Sequence, residues 1–165
     1  MAGSPIPKMK IEINNRQKSW HPRINNIKKL IRKLMYKAMP LSPKLKWSEI
    51  SVVLMNDEQI RECKTKLFDI REITDVISLR YNPMPGENNL YSGEIFVNIQ
   101  RAITHSAKIK QRWTASKELS LYLAHGCDHL MDSTDYDKQG YLRMRRRELN
   151  WLKDLEIAKL STNLL

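Results

Sequence analysis

Cysteine is scarce in this chain of 165 residues: Cys63 and Cys127 stand far apart and in no CxxC pair. That excludes a disulfide framework and a zinc ribbon, and two reduced thiols are expected. Long apolar runs are missing too, since none approaches the roughly 20 residues that cross a bilayer, so no membrane association is expected. The stretch MAGSPIPKMKIEINN has no basic segment leading into an apolar one, and it lacks the Arg and Ser density of a transit peptide. A cytoplasmic address is expected. Acidic side chains are also short in number, 18 against 29 Lys and Arg, which leaves a formal net charge of +11. Such an excess favours a polyanion through counterion release. Nucleic acid ranks ahead of a lipid surface, because no basic amphipathic helix also exposes Trp, Phe and Leu.

What the chain does have is one domain's worth of patterned sequence, residues 1–165, with 41% apolar and 28% charged residues and no repeat or low-complexity tract. KMKIEINN alternates with Met9, Ile11 and Ile13 on one face, the period of a half-buried strand. RINNIKKLIRKLMYKAM places Ile24, Ile27, Leu30, Ile31, Leu34, Met35 and Ala38 at helical spacing under a basic face, and Pro40 ends it. SEISVVLM reads as a strand, and Asn56 or Asp57 caps a helix running to about Leu67. ITDVISLRY and LYSGEIFVNI read as strands on either side of the loop NPMPGENN. The rest is helical: IQRAITHSAKIKQ, then TASKELSLYLAHGCDHLM with Thr114 or Ser116 at its cap, then KQGYLRMRRRELNWLKDLEIAKL. The order specifies an α/β (α+β) domain, a single mixed sheet of about four strands packed with about five helices.

Chemistry concentrates in HGCDHLMDSTDYD, residues 125–137. His125 and His129 lie at i and i+4 of a helix, so both imidazoles leave one face a turn apart, the spacing that two zinc–nitrogen bonds need. A catalytic zinc takes three protein ligands, and Gly126 stands where HExxH peptidases carry their general base, so peptidase chemistry is disfavoured.

TDVISL, SGEIFVN and LYLAHGCDHLMDSTDYD, in that order, resemble the YbeY family of metal-dependent endoribonucleases, whose patterns are TDVLSF, LGDIxI and HGxLHLxGYDH. The resemblance implies a one-sheet fold with a zincin-like metal site on a helix and one Zn2+ ion. It also implies a role in maturing the 3′ end of small-subunit rRNA and in ribosome quality control, with rRNA and the small subunit as partners. The family's first two metal histidines fall on His125 and His129. The third, ten residues after the first, falls on Asp135, and the family's Gly-Tyr-Asp before it becomes Asp132, Ser133 and Thr134. Asp132 tolerates the positive φ of such a turn. A three-residue insertion would instead set Lys138 in the ligand position, and a protonated lysine cannot ligate. A carboxylate at position 135 adds negative charge to the site, which lets other divalent ions compete with zinc.

The family's arginine, six residues before TDV, falls on Phe68. Arg71 nearby is the cation expected to meet a scissile phosphate, its fork suited to phosphoryl oxygens; the alternative is an exposed loop charge. Asp75 and Glu94 match the family's acidic positions, and His125, Glu94 and Arg71 form the expected catalytic set. Ser78 either contacts RNA or closes a strand end. Asp128 is expected to accept an imidazole N–H. The helix from Arg23 to Lys37 and the run RMRRRE are the expected electrostatic footprint for RNA, and the four tryptophans are expected to pack rather than stack on bases. The rival to a nuclease is an RNA- or ribosome-binding factor of the same fold without strong metal binding.

Overall fold

The computed structural model describes residues 8–86, 88–109 and 112–165. Its central strand explains the layering. β2 (Lys46–Met55) ends in Val52-Val53-Leu54-Met55, a continuous apolar run in which every residue is buried, so the sheet must be covered on both faces. β1 (Lys10–Asn15) pairs with β2 in parallel, Ile11 opposite Ile50, and β4 (Leu90–Asn98) pairs in parallel on the other side, Val52 opposite Ile95. β3 (Val76–Tyr81) closes the sheet antiparallel to β4, giving the order β1-β2-β4-β3.

One face carries Ile11, Ile50, Val52, Leu54, Ile95 and Val97 into the main core. α1 (Ile24–Ala38) and α4 (Ala115–Leu130) cover it, each through the apolar stripe its sequence spells out. The other face offers Val53, Met55, Ile77 and Phe96 to Ile60 and Cys63 of α2 (Asp57–Phe68). Asn56 caps α2 in a capping box with Gln59. α3 (Ile99–Ser106) follows β4 directly, with the Asn98 side chain accepting from the Arg101 amide. The helix expected through Gln111 thus ends at Ser106, and Lys110 and Gln111 lie outside the described residues.

Thr114 is the cap of α4, its hydroxyl accepting from the Lys117 amide. The last apolar periodicity divides into α5 (Lys138–Leu152) and α6 (Leu155–Ser161), so six α-helices are found among the described residues. The break has a local cause: Asp154 takes an extended conformation and uses its carboxylate to cap the Glu156 amide, which starts a new helix. Trp47 and Trp151 are buried, and Trp20 packs against the core, as expected of packing residues.

α4 can lie close to the sheet because glycine meets it from both sides. A methyl at Gly93 would stand 3.0 Å from Ile50 and Leu130, and one at Gly126 would stand 3.0 Å from Ile95 and 3.1 Å from the Ser78 hydroxyl. The α4–α5 connection is closed equally tightly. Asp137 caps α5 through the Gly140 amide at 2.6 Å, and a Cβ on Gly140 would sit 2.7 Å from the Thr134 carbonyl oxygen. Since that neighbour is backbone, Gly140→Ala must shift the loop. It is expected to cost about 1–3 kcal/mol of stability and lower Tm by several degrees in a thermal melt.

Candidate metal centre

The last two turns of α4 carry His125 and His129, and the loop beyond folds back over them. Met131 ends the helix, and Asp132 then takes φ +65°, the left-handed turn that brings residues 133–135 back toward α4. Arg80 on β3 holds this turn by pairing with the Asp132 carboxylate at 2.8 Å and donating to the Leu130 carbonyl at 3.1 Å. The Ser42 hydroxyl donates to the Met131 carbonyl at 2.8 Å. As a result the Asp135 carboxylate lies 3.3 Å from His125 Nε2 and 3.5 Å from His129 Nε2, and the two Nε2 atoms are 2.9 Å apart.

The other nitrogen of each ring fixes what these atoms are. His129 Nδ1 donates to the Ser133 carbonyl at 3.0 Å, and a carbonyl can only accept. His125 Nδ1 donates to the Glu148 carboxylate, at 2.9 and 3.1 Å to its two oxygens. With both N–H groups committed at Nδ1, the neutral rings direct Nε2 lone pairs at each other and at a carboxylate. Three acceptors so arranged call for a cation among them. Ligands held at about 2.0–2.2 Å on a tetrahedral ion lie roughly 3.3 Å from one another, and the three measured separations bracket that value. His125, His129 and Asp135 can therefore hold a metal ion.

The carboxylates around His125 favour positive charge at this place. Burial pulls the His125 pKa down, but the hydrogen bond and charge of Glu148, with Asp75 and Asp135 adding to them, outweigh burial and lift it above the ordinary histidine value. Burial raises Glu148 in turn, and His125 draws it back.

Several expected residues take other places. Asp128, expected to accept from an imidazole, is fully buried and instead receives Arg147 at 2.8 and 3.2 Å and the Ser133 hydroxyl at 2.6 Å. Its side of the helix faces α5 below the rings, and Glu148 takes the role. Glu148 stands inside the run RMRRRE, so that run is not a uniform cationic face: Arg147 and Glu148 turn inward, while Arg143 and Arg146 are exposed. The stripe Gly140, Met144, Glu148, Trp151 is the buried side of α5, and the placement of an acid on this apolar spacing is the signal that marks Glu148.

Glu94 points to the sheet face opposite the histidines, where its carboxylate accepts from the Tyr81 hydroxyl at 3.1 Å beside Cys63. Side chains alternate along β4, so Gly93 and Ile95 face α4 while Glu94 faces α2. Arg71 is exposed and lines a shallow depression with Glu58, Arg61 and Lys66, away from the metal cleft. Asp75 is the family-matched acid that acts electrostatically on His125. Ser78 donates to the Gly126 carbonyl at 2.9 Å and so fastens β3 to α4. Lys138 is exposed at the start of α5, and His21 and His105 are exposed elsewhere.

A cleft of about 400 Å³ opens beside His129, bounded by Ser78, Thr134 and, on its two rims, the half-exposed Phe68 and the exposed Tyr136. Among the described residues its one lining Lys or Arg is Lys64, a turn before Phe68 on α2, with an ammonium paired to Glu72 at 3.1 Å. Helical spacing thus brings a cation into the cleft that neighbouring positions in the loop do not supply. Removing the Glu148 carboxylate tests how far it orients His125. Glu148→Ala is expected to weaken divalent-metal affinity about 10–100-fold in chelator competition, with Glu148→Gln recovering part of the loss by keeping an acceptor.

Comparison with known proteins places this geometry in a family. The family model described as Endoribonuclease YbeY matches residues 12–156. Endoribonuclease YbeY of Endomicrobium trichonymphae is 30% identical over 103 residues, covering 62% of this chain and 68% of that protein. The protein of the same name from Ehrlichia chaffeensis is 28% identical over 148 residues, covering 89% of this chain and 94% of its own. The solution structure of a Thermotoga maritima protein shares the fold, with a TM-score of 0.55 at 17% identity over 93% of this chain and 95% of that one. The chain belongs to the YbeY endoribonuclease family.

Proposed function

We propose that this protein is a metal-dependent endoribonuclease that cuts single-stranded RNA, with the 3′ end of small-subunit rRNA as its substrate and a cytoplasmic part in ribosome maturation and quality control. The observation that supports metal dependence is the meeting of three acceptor atoms, His125 Nε2, His129 Nε2 and the Asp135 carboxylate, at 2.9–3.5 Å from one another beside an open cleft. Two imidazoles and a carboxylate suit zinc, and the hard carboxylate lets manganese or magnesium compete. When bound, the ion supplies Lewis-acid stabilisation to phosphoryl oxygens and favours ionisation of the attacking water.

The protein's own residues do the rest. Glu148 fixes the His125 tautomer, and the Ser133 carbonyl fixes that of His129. Lys64, whose side chain is one-fifth exposed, faces the cleft and keeps N–H donors beyond the one given to Glu72 to offer a phosphate as charge builds on it. Phe68 and Tyr136 present flat apolar faces to unpaired bases on either rim, a contact that duplex RNA cannot use. Asp75, whose charge acts on His125, is the carboxylate we assign to accept the proton released by the attacking water.

Protein purified without chelator is expected to carry near-stoichiometric divalent metal and to cut a single-stranded RNA bearing the small-subunit 3′ end. His125→Ala should lose both. A metal-free wild-type protein that binds this RNA without cutting it would leave the binding-factor reading in place. Asp135→His is expected to hold zinc more tightly in equilibrium dialysis; an unchanged affinity would put Asp135 outside the ligand set. Lys64→Ala should lower kcat about 10²-fold with metal content intact, whereas Arg71→Ala should leave kcat near wild type.

A further inference from the structure

Concave surface is also found apart from the metal cleft. Two adjoining depressions of about 560 and 690 Å³ run between the open edge of β1 and the solvent side of α1, and they share Lys8, Asn25, Lys28 and Arg32. The sequence dictates the convergence. α1 buries Ile27, Leu30, Ile31, Leu34 and Met35, so residues 25, 28, 29, 32, 33 and 36 must form its outer stripe.

Six cations line this groove: Lys8 and Lys10 from the β1 edge, and Lys28, Lys29, Arg32 and Lys33 from α1. Two of them have carboxylate partners, Lys10 with Glu12 at 2.8 Å and Lys33 with Glu156 at 2.5 Å. Among the described residues, Lys8, Lys28, Lys29 and Arg32 form no ion pair. Arg32 is nonetheless held in place, because its Nη1 donates to the Met9 carbonyl at 2.7 Å and its remaining N–H groups are left for another acceptor. Tyr36, 54% exposed, stands at the far end.

We propose that this groove is a binding surface for the phosphate backbone of single-stranded RNA, separate from the metal cleft. The choice of RNA over other polyanions rests on the nuclease reading; the charge geometry does not. A groove with unpaired cations on its walls, interrupted by the one carboxylate of Glu12, and an aromatic ring at its end is suited to follow a strand without reading its sequence. Lysines on an edge strand also act against strand pairing, yet that role accounts only for Lys8 and Lys10 and not for the four cations facing them from α1. A lipid surface fits less well, because the stripe is concave and exposes one aromatic side chain and no Leu or Phe. β1 and β3 are the two edges of the sheet, three strand spacings or roughly 14 Å apart, so a strand bound here would reach the metal cleft only by crossing the molecule. The groove therefore holds RNA outside the segment being cut.

The test is Lys28→Glu with Lys29→Glu, both exposed, compared with Lys18→Glu with Lys44→Glu, which make the same charge change outside the groove. Binding of a 20-nucleotide single-stranded RNA is followed by fluorescence anisotropy across a salt series. The groove pair is expected to weaken binding at least tenfold near 0.1 M salt and to flatten the slope of log K against log salt by about 1.4, the value for two lost phosphate contacts. The control pair should change either quantity little. In cleavage assays the groove pair should raise KM, with kcat and metal content held. Equal loss in both pairs, or wild-type binding by the groove pair, overturns the proposal. So does a groove pair that loses affinity only for phosphatidylglycerol vesicles. Since RNA binding is read directly, an absence of cleavage by the wild-type protein would count against the nuclease reading and leave the groove standing.

Discussion

The close seating of α4 on the sheet is the constraint on which the site depends. Gly93 and Gly126 remove side chains from the two surfaces that touch, and the hydroxyl of Ser78 uses the space to reach the Gly126 carbonyl. With the helix held at that depth, Ala124, Gly126, Cys127 and Asp128 are all buried, and the two histidines emerge partly exposed at its end. Fully burying a leucine is worth about 1.5–3 kcal/mol, so Leu119, Leu123 and Leu130 together fix the rotation of α4, and with it the direction of both rings. A side-chain constellation on a helix so anchored inherits the rigidity of the core.

The donor set follows from electrostatics at short range. Two rings whose N–H groups are committed elsewhere, and a carboxylate beside them, place acceptors together with no Lys or Arg paired to them among the described residues. Glu148 is a buried acid with His125 as its partner, an arrangement that couples α5 to α4 through Nδ1 of the ring whose Nε2 would bind metal. Arg147 and Asp128 form a second, separate tie between the same helices, which leaves Glu148 free to serve the imidazole.

Element order and the paired histidines could be read from periodicity because each is a local pattern. The turn at Asp132 was an expectation of the family resemblance, to which the residue adds only that aspartate is one of the few side chains at ease at positive φ. Glu148 could not be identified as the His125 partner, since the contact joins residues 23 apart through the packing angle of two helices. The same limit misplaced Asp128: helical spacing puts it near His125 but does not say that Arg147 will claim it. Glu94 illustrates the converse. Its position in a motif was readable, but the face it occupies follows from strand register, and one residue along β4 separates the metal side from the α2 side. For Arg71 and Lys64 the decisive fact was that a helix wall reaches the cleft while the loop after it does not.

The guanidinium of Arg32 on the Met9 carbonyl has a consequence for the protein as a solute. Open strand edges invite a neighbouring chain to extend the sheet, and β1 is such an edge. An incoming strand would have to break a 2.7 Å charge-assisted bond and lay its backbone among six cations that repel a second copy bearing the same six. Self-association along this edge is thus opposed by sterics and charge together, and β1 can leave its outer side open without offering a ready template to a second chain.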